Sequence, residues 1–94
     1  MELLYTYVTL LHSVHGTGIA GVVAANANNS RGGVGVNWVS KILPVRVLGK
    51  CGGFTSDIAD GIRWAAGVDV PDVKNPSGPK LHNPNSARVI NLSL

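Results

Sequence analysis

The chain is short of the features that would place it quickly. Among its 94 residues there is one cysteine, Cys51, so no disulfide closes within the sequence. Two readings of that thiol stay open: a small, partly buried side chain, or half of a bridge whose partner lies outside these residues. No apolar run approaches the ~20 residues that a membrane-crossing helix needs. Met1 to Leu11 is apolar but carries Glu2 and no basic start, so it does not read as a signal peptide. Charge is sparse at 14%, with a net +3. The eight basic residues are scattered from Arg31 to Arg88, a solvated surface and not a nucleic-acid patch. Three histidines, widely spaced and without a second cysteine, make no zinc signature.

Glycine and small apolar residues are plentiful instead. Twelve glycines and 45% hydrophobic residues allow a core built on close approaches. Glu2 to Leu11, rich in Leu, Tyr and Val, reads as a strand. His15 to Ala27 reads as a helix of Gly, Ala and Val, small enough to lie close to a sheet and expected to be nearly buried. Asn26 to Asn37 is turn-rich. Lys41 to Leu48 reads as a strand, although Pro44 lacks a ladder donor. Gly49 to Phe54 is a glycine loop. Thr55 or Ser56 then caps a helix through Asp57 to Ala66, with Asp57 and Asp60 near its positive end and Trp64 covering the sheet. Gly67 to Ser86, with four of the five prolines, reads as an irregular surface insertion. Residues 87–94 close a strand–helix–strand crossover unit. Two parallel strands are too few to bury their edges, so the fold is expected to continue past Leu94.

The chemistry centres on His15, at the head of the first helix in His15-Gly16-Thr17-Gly18-Ile19-Ala20-Gly21. Histidine is a common general base, and a helix N-terminus favours the neutral ring that a base needs. His12 and His82 fall in connectors and read as solvated. Together with the closing run Val89-Ile90-Asn91-Leu92-Ser93-Leu94, the His15 segment resembles the subtilisin-like serine proteases. The resemblance is collinear from Val14 to Leu94. It includes Asn28-Asn29-Ser30 with Gly33-Val34-Gly35-Val36, then Val45-Arg46-Val47-Leu48-Gly49, then Gly61-Ile62-Arg63-Trp64-Ala65. Two departures stand out: Val14 replaces the family's usual glycine, and Gly18 replaces a second histidine. Met1 to Ser13 has no counterpart.

The resemblance implies an α/β fold, a doubly wound parallel sheet of subtilisin type, here incomplete. It divides the chain into an unplaced segment 1–13 and a partial peptidase domain 14–94. It implies peptide-bond hydrolysis by an Asp/His/Ser triad in which His15 is the base. Leu48, Gly52 and Gly53 correspond to the segment that pairs with an extended substrate, and Ser93 and Leu94 to the opposite cleft wall. The triad is only one-third present. Glu2 is the sole acid before His15, and no serine after it sits in a Gly-Thr-Ser-Met-Ala setting. The chain alone is therefore expected to be inactive. No cofactor is required. A structural calcium near Asn28 and Asn29 is possible in the complete domain, although no carboxylate is nearby. The expected partner is a polypeptide substrate, with no nucleic acid and no membrane, and the oligomeric state is left open. The parent enzyme is expected to be secreted. Two rivals remain: a non-catalytic peptide-binding or interaction module, and an unrelated small α/β binding domain.

Overall fold

The computed structural model describes residues 5–9, 15–49, 51–71 and 81–93. Three strands and two helices alternate along it: β1 (Tyr5–Thr9), α1 (His15–Ala24), β2 (Lys41–Val45), α2 (Thr55–Ala65) and β3 (Val89–Asn91). All the strands are parallel, in the order β2-β1-β3. Thr6 stands opposite Ile42 on one side and Val89 on the other. The strand expected within Glu2 to Leu11 is thus the centre of the sheet. It separates the two strands of the crossover unit, so the connection through α2 passes over β1.

The second and third strands are shorter than their sequence patterns. β2 stops at Val45, and Arg46 folds back instead, its Nε donating to the Leu48 carbonyl at 3.1 Å. Pro44 sits within β2 opposite Val8. It is tolerated because β2 pairs with β1 alone among the described residues, leaving a side of the strand that needs no donor. The last strand covers only Val89–Asn91.

α2 begins two residues earlier than expected. Phe54, with extended φ and ψ, is the N-cap residue, and no side chain caps the helix. Thr55 and Ser56 therefore lie inside the first turn, and the Phe54 carbonyl takes the N–H groups of Asp57 and Ile58. Asp57 in the first turn and Arg63 in the last complement the helix dipole. The helix ends in a Schellman motif. Val68 N–H reaches the Arg63 carbonyl, and Gly67 N–H the Trp64 carbonyl. Gly67 supplies the left-handed residue with φ +85°. A Cβ there would also fall 2.8 Å from Ser86 Cβ.

α1 lies against β1 and β2 and ends at Ala24. Residues 35–37 form a strap across its end. Gly35, Val36 and Asn37 donate their N–H groups to the carbonyls of Ala25, Val22 and Val23 at 3.0–3.1 Å, which satisfies acceptors left over at the helix terminus. A Cβ on Gly35 would come within 2.5 Å of the Ala24 and Ala25 backbone, so only glycine permits this approach. The expectation that α1 is nearly buried does not hold. Gly16 is its one buried residue, and Val22 is 64% exposed. Two strands and one strap shield part of a helix that is apolar all round.

The core is thin. Ala65 and Val70 are the buried hydrophobic residues among those described, while Val36, Trp38 and Phe54 stand more than two-thirds exposed.

Candidate functional site at the carboxyl edge of the sheet

Each strand hands the chain on at its carboxyl end, and each expected site residue follows such an end. β1 leads to His15, the first residue of α1. β2 leads to Leu48, Gly52 and Gly53 before α2. β3 leads to Leu92 and Ser93. From β1 the chain moves to one side of the sheet to make β2, then crosses to the other side to make β3. In open α/β sheets such a reversal leaves a crevice at the carboxyl ends of the strands, where ligands bind.

His15 is exposed at the N-terminus of α1. No carboxylate pairs with its ring among the described residues. The histidine that does meet an acid is His82, whose Nδ1 lies 3.2 Å from Asp69 Oδ1. Both side chains are exposed, in keeping with the solvated reading of His82. His12 and Val14 lie outside the described residues.

After β2 the chain makes a tight turn. Gly49 N–H donates to the Gly52 carbonyl at 2.8 Å, and Gly52 N–H returns the bond at 3.3 Å. Gly52 has φ +100°, which side chains rarely adopt. At Gly53 the reason for glycine differs. A Cβ would lie 2.5 Å from the Val47 carbonyl oxygen and 2.8 Å from Leu48 Cδ2. An open groove of about 360 Å³ runs beside this turn, lined by Arg46, Val47, Leu48, Gly52, Gly53 and Phe54 among others. Cys51 is at the tip, exposed and with no disulfide partner among the described residues.

Ser93 is half-buried, and its Oγ accepts a hydrogen bond from Asn91 Nδ2 at 2.8 Å. The bond holds the turn that leaves β3, two residues beyond the last strand pair. Leu94 lies outside the described residues.

Sequence reasoning missed Asn83. It is 5% exposed in a stretch expected to be irregular surface. Its Nδ2 donates to the carbonyls of Trp64 and Ala65 at 2.9 and 3.2 Å, and its Oδ1 accepts from Asn85 N–H. An Asn-Pro pair in a proline-rich run signals a turn, and nothing in that pattern marks burial.

The loop considered for calcium bends through left-handed conformations at Asn28, Ser30 and Gly32. Asn29 Oδ1 accepts from Arg31 N–H at 3.1 Å. The donors there are neutral amide and carbonyl oxygens beside a cationic arginine, and no cluster of metal-ligating side chains occurs among the described residues. That is a poor cage for a hard divalent cation.

Comparison with known proteins gives a consistent answer. The model of the Subtilase family, Peptidase S8, matches residues 5–94. The chain is 52% identical over 82 residues to an extracellular protease of Xanthomonas campestris, covering 87% of this chain and 13% of that protein. It is 48% identical over 80 residues to an extracellular basic protease of Dichelobacter nodosus, covering 85% of this chain and 12% of the relative. A solved structure of a protease from Pseudoalteromonas arctica superposes with a TM-score of 0.75 at 55% identity, over 87% of this chain and 22% of the other. The chain thus spans about an eighth of the length of these curated relatives. With the family model running from β1 through β3, this chain belongs to the subtilase family.

Proposed function

We propose that this chain is part of a serine endopeptidase domain, with β1 completing the sheet of residues 14–94, contributing the general base and one stretch of the substrate cleft. The observation that carries the proposal is topological. His15, the Leu48–Gly53 turn and Ser93 each follow the carboxyl end of a different parallel strand, at the point where the strand order reverses. In this reading the sheet is doubly wound. Right-handed crossovers put α1 and α2 on opposite faces and leave the strand ends open between them.

His15 would take the proton from a serine hydroxyl as it attacks the scissile carbonyl, then give it to the departing amine. An extended peptide would lie along the Leu48–Gly53 turn, where glycines keep side chains out of its way. Gly52 has its own N–H and carbonyl committed to Gly49, so Leu48 and Gly53 would make the strand-like contacts and Gly52 would shape the turn. Ser93 and Leu94 would form the facing wall. Without an orienting carboxylate or a serine nucleophile in a Gly-Thr-Ser setting, the chain by itself should form no acyl-enzyme. No cofactor takes part, and calcium, if bound near Asn28 and Asn29 in a complete domain, would be structural. The extracellular names of the relatives support secretion of the parent enzyme.

The test is a hybrid in which this chain replaces the matching segment of the Xanthomonas campestris protease. The hybrid should hydrolyse extended peptides, and His15→Ala should lower kcat by about 10,000-fold, the upper range for removing a general base. Undiminished kcat in the alanine variant would overturn the assignment.

A further inference from the structure

We propose that Asn83 is a positioning residue for the substrate cleft: it pins the entry of β3 to the end of α2 and so sets where Leu92 and Ser93 stand. The inference rests on the peptidase reading above for its functional consequence, but not for its structural one.

The backbone caps α2 through the Schellman bonds, which occupy the Arg63 and Trp64 carbonyls. The Ala65 carbonyl remains an acceptor at the helix end, and it takes two bonds from the chain that leads into β3. One is from Asn83 Nδ2 at 3.2 Å, the other from Ala87 N–H at 2.8 Å. The Trp64 carbonyl receives Asn83 Nδ2 at 2.9 Å as well, and Trp64 Nε1 donates to the Leu81 carbonyl at 2.7 Å. Both amide protons of Asn83 thus point at helix carbonyls. Its oxygen holds Asn85 N–H at 2.9 Å, fixing the turn that follows. An amide is the required chemistry. A carboxylate has no protons to give the two carbonyls and would sit against the negative end of the helix dipole.

Position matters here because β3 is short. Only Val89–Asn91 pair, against Thr6–Val8, and a one-residue slip would turn every β3 side chain to the opposite face. Three pairs hold that register weakly. The clamp at Asn83 and Ala87 lies just before the strand and removes the slack from which a slip would start. The Asn91–Ser93 hydrogen bond then carries the fixed register to the cleft wall. Asn83 is 5% exposed, so an aspartate there would bury a carboxylate against two carbonyls, and an alanine would leave the Asn85 N–H without its acceptor, each at a cost.

Two measurements test this, with Asn83→Asp, which keeps the Asn85 contact, and Asn83→Ala. In the chain itself, amide exchange at residues 89–91 should quicken at least tenfold in both variants, while amides of α1 and β2 keep their rates. In the hybrid protease, KM for extended peptides should rise about tenfold with kcat per titrated active site within twofold. Lost packing alone would lower the active fraction and leave KM unchanged. Unaltered exchange in β3, or quickening spread equally over every element, would overturn the positioning role. So would an unchanged KM in an active hybrid. A wild-type hybrid that cleaves nothing would count against the peptidase reading, and the exchange result would still decide the clamp.

Discussion

The two helices of this chain are held in opposite ways. α2 carries its own instructions: apolar residues on one face, Asp57 at its start, Arg63 at its end and Gly67 as its stop signal. α1 carries almost none. It has no acid in its first turn, no base in its last and no polar face. A helix apolar on all sides is stable only when surrounded, yet Val22 is 64% exposed. Its carbonyl end is closed from outside by the backbone of residues 35–37. His15, the proposed base, therefore sits on the helix that depends on its neighbours, and the strand leading to the proposed cleft wall follows the helix that supports itself.

The sharpest way to break this contrast is at Gly35. Gly35→Ala forces a Cβ to within 2.5 Å of the α1 backbone, where no side chain can yield. A loss of about 3 kcal/mol is expected, read as a lower urea midpoint. Exchange should rise in α1 before α2. Gly61→Ala probes the other helix. The new Cβ would meet Val47 Cγ1 in α2's contact with the segment after β2. The clash is with a side-chain methyl and not with backbone, so although valine is stiff the cost should be nearer 1–2 kcal/mol. Gly67→Ala should cost about 1–2 kcal/mol, since it strains a left-handed residue and crowds Ser86, and it should fray α2 while α1 is unaffected. Smallest of all is Asp60→Asn. Asp60 Oδ1 meets Arg63 Nη1 at 3.0 Å, with the arginine largely exposed. Removing the pair should change stability by less than about 0.5 kcal/mol by thermal melting.

What was legible in the sequence follows the same division. α2 could be read because its signals are local, though its start was placed late: Thr55 and Ser56 look like caps, and the Phe54 backbone does that work. The His15 helix was visible from its small residues. Its exposure was not, because burial depends on what covers a helix and not on its own composition. The strand near the start could be recognised from Tyr and Val, but nothing in a five-residue run says that it will lie between the other two. Leu48, Gly52, Gly53, Ser93 and Leu94 are proposed as site residues through resemblance alone. Asn83 was invisible because its partners, Trp64 and Ala65, are 18 or 19 residues away. A polar side chain in a proline-rich run looks the same whether it faces solvent or a helix end.

The central claim is that His15 serves as the base at the carboxyl edge of the sheet. It is tested most directly by the rate at which a fluorophosphonate labels the hybrid protease, since that reaction needs an activated serine and no substrate specificity. The hybrid should label rapidly and His15→Ala should abolish labelling, with α1 intact by amide exchange. Equal labelling of both proteins would contradict the claim.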